Sequence, residues 1–146
     1  MPAYLPQNPQ FADTVEALIQ GMPIAQFYGL KFLRIEPGET EIEMPFRSEL
    51  AFRPGLLQAG PIGTLLDFAG ATAAMTLLAP GWSSATIDYT VKLLAPAQGD
   101  RFVGHGSVIA PGKSIVVAQA KVFAVAGEEK TLCAVGHVTV RNFEPR

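Results

Sequence analysis

The stretch Gly60-Pro61-Ile62-Gly63-Thr64-Leu65-Leu66-Asp67-Phe68-Ala69-Gly70-Ala71-Thr72-Ala73-Ala74-Met75-Thr76-Leu77-Leu78 is apolar or small on nearly every side, and Asp67 is the one charged residue between Pro54 and Ile87. Pro directly after Gly is a helix start signal, because Pro lacks only a donor that the first turn cannot use. Ala79-Pro80-Gly81 closes the run, since Pro cannot continue a helix and Gly accepts the turn that follows. The predicted helix has no solvent face and must be buried on most of its surface. An ionised carboxylate in that setting is costly unless it is paired or protonated. On helical spacing Asp67 is flanked by Gly63, Thr64, Gly70, Ala71 and Ala74, all small, which leaves room for another backbone or a ligand. The competing structural role is an acid satisfied by backbone donors, or paired with an Arg or Lys from elsewhere in the fold.

Working outward, an amphipathic helix is predicted from about Pro9 to Gln20, with Phe11, Val15, Leu18 and Ile19 on one face. An irregular arm over 2–9 precedes it, and one further turn over Ile24–Tyr28 follows. From Gly29 the period changes to two. Leu30–Glu36 and Thr40–Phe46 flank the turn Glu36-Pro37-Gly38-Glu39 as a hairpin, with Glu39, Glu41 and Glu43 on a wet face and Thr40, Ile42 and Met44 on a dry one. Arg47–Gln58 is a loop into the buried helix. Beyond the helix come four strands: Ala85–Leu94, Arg101–Ile109, Ser114–Val125 and Thr131–Arg141. Gly104 and Gly106 share one face of their strand, which implies close approach of another element. In the first of the four, strict alternation sets Thr86, Asp88, Thr90 and Lys92 against Ile87, Tyr89, Val91 and Leu93.

Six strands, mostly antiparallel, can bury one all-apolar helix only by curling around it. The expected class is therefore α+β with the hotdog layout: a curved six-stranded sheet around one long helix, plus a short N-terminal helix. A ferredoxin-like arrangement would need two comparable helices. No repeat or second domain is visible, so residues 1–146 are expected to form a single domain.

Composition narrows the function. Charged residues make up 16% of the chain, against roughly 25% in an average soluble domain, which suggests surface hidden in an oligomer. A net charge of -2 gives no electrostatic case for nucleic acid. One cysteine, Cys133, excludes an internal disulfide and suits a reducing compartment, and the first ten residues lack the basic start and apolar core of a secretory signal. An acid near the middle of the apolar helix, with its glycines and threonines, argues for burial in protein rather than in a membrane. The expectation is a cytoplasmic protein.

Among site chemistries, no Gly-x-Ser-x-Gly elbow exists and Ser83-Ser84 has no nearby histidine. His105 and His137 lie on separate strands without metal-ligand spacing, and Gly104-His105-Gly106 lacks the rest of a phosphate-loop fingerprint. Neither a metal nor a cofactor is expected. What remains is Asp67 and the start of its own helix, where the first amides have no internal partner and the dipole is positive. Amides around Ala59 and Gly60 are thus candidates for stabilising an oxyanion. A carboxylate and an oxyanion hole suffice for hydrolysis of an activated acyl group such as a thioester.

The run Gln58-Ala59-Gly60-Pro61, continued by Leu66-Asp67-Phe68-Ala69-Gly70-Ala71-Thr72-Ala73-Ala74, resembles the helix signature of hotdog-fold acyl-CoA thioesterases of the phenylacetate-degradation type. Thr86-Ile87-Asp88-Tyr89-Thr90-Val91-Lys92-Leu93-Leu94-Ala95-Pro96-Ala97-Gln98-Gly99-Asp100 is similar to that family's next strand and its Pro-Ala-x-x-Gly-Asp turn. The resemblance spans roughly Gly29 to Val140. It implies that Asp67 is general base or nucleophile, that the Ala59 amide is the oxyanion donor, and that Thr86 is a hydroxyl that positions water. It further implies an acyl-CoA substrate and a homodimer, or a homotetramer built as a dimer of dimers, with sites at the subunit interface. Gln58-Ala59-Gly60 stands where the family has His-Gly-Gly, and no polar residue occupies the position near Phe52.

Gln58 suits two roles equally, orienting a thioester carbonyl or capping the loop. Arg53 suits a contact to CoA phosphate or a structural ion pair, including one with Asp67. Lys113 suits nucleotide phosphates or a solvated turn. Phe68, Met75 and Trp82 fit core or interface better than an acyl pocket, with Phe68 the one kept as a substrate-binding candidate. The rival functions are a non-catalytic acyl-CoA or lipid-binding module and a dehydratase, the latter disfavoured because no histidine lies near Asp67.

Overall fold

The computed structural model describes residues 4–146. Of the arm predicted over 2–9, Pro2 and Ala3 lie outside the described residues, and residues 4–9 carry neither helix nor strand. The chain then forms α1 (Phe11–Gln20), α2 (Pro23–Tyr28), β1 (Lys31–Glu36) and β2 (Glu39–Pro45). A 3-10 turn (Ser48–Leu50) leads to a small ribbon, β3 (Ala51–Arg53) and β4 (Leu56–Leu57), where the sequence predicts only a loop. The long helix α3 (Ala59–Met75) follows, then β5 (Ser83–Leu93), β6 (Arg101–Ala110), β7 (Ile115–Ala126) and β8 (Glu129–Phe143). The main sheet has the order β1-β2-β6-β7-β8-β5, and every neighbouring pair is antiparallel. This is the hotdog fold expected from the sequence.

Helix α3 supplies the core. Leu65, Leu66, Ala69 and Ala73 are fully buried, and Ile42, Met44, Phe102, Val122 and Val138 of the sheet close over them. The small residues let the sheet come close. A Cβ on Gly106 would stand 1.9 Å from the carbonyl oxygen of Ala69, and one on Gly104 would meet Leu65 and Ala69 at 3.0–3.1 Å. The element whose approach those glycines signalled is α3. The buried threonines here are satisfied: Thr72 of α3 donates to Phe68 O at 2.6 Å, and Thr40 of β2 donates to Ala69 O at 2.9 Å. Each side-chain hydroxyl thus finds an acceptor, as burial requires.

The acid row of β2 faces out and is ion-paired. Arg101 meets Glu43 at 2.9 Å, Arg34 meets Glu39 and Glu41 at 3.5 and 3.6 Å, and His105 meets Glu39 at 2.9 Å. Both histidines lie on strand faces, His105 half-buried and His137 exposed. At the other edge of the sheet, β5 shows Ile87, Tyr89 and Leu93 to solvent. A long apolar edge strand of this kind is a template for pairing with another chain.

Candidate active site

The helix start is built by Gln58, whose extended backbone (φ -74, ψ 154) and side chain make it the N-cap of α3. Its side-chain amide oxygen, Oε1, accepts from the N–H of Gly60. Of the two roles open to Gln58, the structure places it in the capping one. The helix begins at Ala59, so Pro61 occupies its third position rather than its first. The logic of the start signal holds there too, because the first four N–H groups all lack an intrahelical acceptor. Gly60 is engaged by Gln58 and Pro61 has no N–H, so the Ala59 amide is the donor left at this end, with no partner among the described residues. Gln58 and Ala59 open on a cavity of about 340 Å³ that is also lined by Phe52, Leu57 and Leu93.

Asp67 lies two turns further on, half-buried. The Thr86 hydroxyl donates to its Oδ1 at 2.8 Å. No cation faces it: among the described residues every ion pair lies elsewhere, and Arg53 sits at the β3–β4 turn with its guanidinium 5.7 Å from the Phe52 ring. Burial raises the Asp67 pKa above the ordinary carboxylate range, and the Thr86 hydrogen bond offsets part of that rise. An acid that is desolvated, uncompensated by charge and held by one hydroxyl is suited to taking a proton from water or attacking a carbonyl. The lone thiol offers no alternative nucleophile, since Cys133 is buried, donates to Val122 O and is pushed up to about 11.

Thr86 reaches Asp67 because β5 is bulged. Strict alternation would send Thr86 and Val91 to opposite faces, yet Val91 packs near Gly63 of α3 while Thr86 bonds Asp67. The register of β5 on β8 shifts between Thr86 and Asp88, which leaves Ile87 as the extra residue. Bulges commonly re-aim a side chain beside a functional site. The alternation read from sequence is corrected here, and nothing in Thr86-Ile87-Asp88, with no Gly or Pro, announces the shift.

Past the first turn, the residues of α3 that are not buried are Thr64, Asp67, Phe68, Ala71 and Met75. They fall within about 100° of one another and make a single stripe. Phe68 therefore stands beside Asp67 at the surface of this chain. Lys113 does not join this group; it lines a cavity of about 500 Å³ near the far end of α3, with Trp82 and Asn142.

One distance decides what the arrangement can do. Ala59 and Asp67 are eight residues apart on one helix, hence about 12 Å along its axis. A thioester carbonyl with its oxygen on the Ala59 amide and its carbon beside a carboxylate spans only a few ångströms. The two groups cannot serve the same carbonyl within one chain.

No family model matches the chain. A Halobacterium salinarum protein named "Putative esterase" is 31% identical over 144 residues, covering 90% of this chain and 95% of its own length. Among solved structures, a thioesterase family protein from Silicibacter pomeroyi superposes with a TM-score of 0.89 at 29% identity, over 92% of this chain and 98% of that one. The PaaI protein from the phenylacetic acid degradation operon of Escherichia coli gives 0.83 at 16% identity, over 95% and 97%. At that identity the last likeness is one of fold.

Proposed function

The chain belongs to the same family as the Halobacterium relative, on the hotdog fold of the thioesterase superfamily, and from that premise we propose that it hydrolyses an acyl-CoA thioester to free acid and CoA. The observation that supports this most is the Asp67–Thr86 pair: a desolvated carboxylate with a hydroxyl at 2.8 Å and no cation. Asp67 activates water as general base, or attacks the thioester carbonyl to give a transient anhydride that water then opens. Thr86 holds the carboxylate and the incoming water. The Ala59 amide, aided by the positive end of α3, receives the developing oxyanion. A thiolate leaving group needs no general acid, which fits a site without histidine.

Because Ala59 and Asp67 of one chain are too far apart, the working site joins Asp67 of one chain to the helix start of a second. The apolar edge of β5 is the surface across which two copies pair as a homodimer, placing Thr86 near the seam. Gly60's engagement with Gln58 leaves this oxyanion hole with one backbone donor, an observation that favours the alternative of an acyl-CoA binder without turnover.

Purified protein assayed against a panel of acyl-CoAs with a thiol reagent separates the two. Turnover that Asp67→Asn abolishes, with the dimer intact by light scattering, supports hydrolysis. Tight acyl-CoA binding without thiol release supports the binder. A single turnover in isotopically heavy water distinguishes the routes, because only the anhydride route labels the Asp67 carboxylate.

A further inference from the structure

A cavity of about 310 Å³ opens on the face of the sheet turned away from α3. That volume is near the lower bound for pockets that hold small ligands, about 300 Å³. Gly104 and Gly106 of β6 face α3, and Ala120 and Val122 of β7 lie in the core beneath it. His105 and Ser107 of β6, with Gln119 and Lys121 of β7, therefore point the other way, and all four line the cavity. The ladder sets Ser107 opposite Gln119 and His105 opposite Lys121, so the four form a square. Its sides are about 5 Å across the strands and about 7 Å along them.

The polar capacity of this square is largely unspent. Ser107 is 8% exposed, yet its hydroxyl has no hydrogen-bond partner among the described residues, where a group so enclosed is normally paired. Its oxygen is not sealed in protein, so the cavity reaches it. Lys121 is half-buried and joins no ion pair among the described residues. The acids beside the square are already matched. Glu39, across from Ser107 on β2, meets His105 at 2.9 Å and Arg34 at 3.5 Å, and Glu41 meets Arg34 at 3.6 Å. Lys121 is thus the one cation of this group without a counter-charge.

We infer that the square binds a small monocarboxylate. Its carboxylate bridges the Lys121 ammonium and the Ser107 hydroxyl, which are diagonal neighbours about 7 Å apart at Cβ, and takes a further donor from the Gln119 amide. Tyr4 and the exposed Ile109, which also line the cavity, meet a short hydrocarbon tail. One uncompensated positive charge selects a monoanion. A phosphate dianion would bring a second negative charge beside Glu39 and Glu41, and an amine would meet Lys121 itself. The site uses none of the residues assigned to thioester hydrolysis and stands apart from that reading.

The test is an amide NMR titration of the full chain with sodium butyrate, inorganic phosphate and butylamine in turn. Butyrate should give saturable shifts in the millimolar range, centred on Ser107, Gln119 and Lys121. Lys121→Met keeps the apolar stem, removes the charge and should weaken butyrate at least tenfold. Ser107→Ala removes a hydroxyl that has no partner within the chain, so it spares the fold, and should weaken butyrate about tenfold. Lys92→Met, an exposed lysine of β5 outside the cavity, should leave butyrate binding unchanged. Absence of saturable butyrate shifts, shifts centred elsewhere, or binding indifferent to both Lys121→Met and Ser107→Ala overturns the proposal. So does tighter binding of phosphate or butylamine than of butyrate. Should either variant fail to fold, the shift map of the unmodified chain and the other variant decide. No readout involves turnover, so failure of thioester hydrolysis leaves this site standing, and the reverse.

Discussion

Replacing Thr86 with Val removes one hydroxyl and keeps the β-branched shape of the side chain. In the structure that hydroxyl donates to Asp67 Oδ1 at 2.8 Å, and it is the contact that opposes the burial-driven rise of the Asp67 pKa. A hydrogen bond to a charged acceptor contributes about 1.5–3 kcal/mol when well shielded. Asp67 is only half-buried, so the lower end, about 1.5 kcal/mol, applies after solvent screening. The Asp67 pKa in Thr86→Val should therefore move up. The direction follows from donation: the hydroxyl favours the ionised form, and its loss favours the proton. A carboxylate that acts as base or nucleophile must be ionised, so the acidic limb of kcat/KM against pH should shift in the same direction, toward neutral pH. A carbon-13 NMR titration of the Asp67 carboxyl checks the shift without any need for turnover. A limb and a titration curve that both stay in place would refute the coupling between these residues.

Further outcomes follow from the same geometry. Because burial raises the folded-state pKa of Asp67 above its unfolded value, its contribution to stability is greatest below the unfolded pKa and declines as pH rises through the folded one. Urea unfolding of Asp67→Asn should therefore show a smaller loss of stability between acid and neutral pH than the unmodified chain. Gln58→Ala removes the N-cap acceptor for Gly60 and should cost about 1 kcal/mol in the same assay. Gly106→Ala, whose Cβ would sit 1.9 Å from Ala69 O, should cost more than about 3 kcal/mol or abolish folding. Gly63→Ala meets the Tyr89 ring at an ordinary 3.7 Å and should gain up to about 1 kcal/mol of helix propensity.

The fold was legible because its signals are redundant. The one all-apolar run, the alternation of Glu39–Met44, and Gly104 with Gly106 each require a sheet wrapped tightly on a helix, and each occupies its predicted place. Asp67 stood out for a simple reason, since a lone charge in such a helix needs an account. The role of Gln58 was not legible, because capping and carbonyl contact ask for the same side chain at the same position. The route by which Thr86 reaches Asp67 was hidden for another reason: the bulge at Ile87 is fixed by pairing with β8, a long-range fact that local alternation cannot express. A cavity of about 210 Å³ lined by Phe11, Met75 and Trp82 was likewise invisible, as it depends on how α1 meets the chain after α3.

In the proposed working site, Asp67 comes from one chain and the Ala59 amide from another. Ala59→Pro removes that N–H and little else, since Pro is tolerated at the first helical position and Gln58 already has the extended backbone that a following Pro requires. Alone, it should lower kcat by about 100–1000-fold, and Asp67→Asn should be inactive. Co-refolding the two variants in equal amounts gives mixed dimers in which one of the two sites has both groups intact and the other has neither. A shared site should restore about a quarter of the unmodified activity, half of the dimers being mixed and each carrying one good site. A mixture no more active than its parents would contradict it.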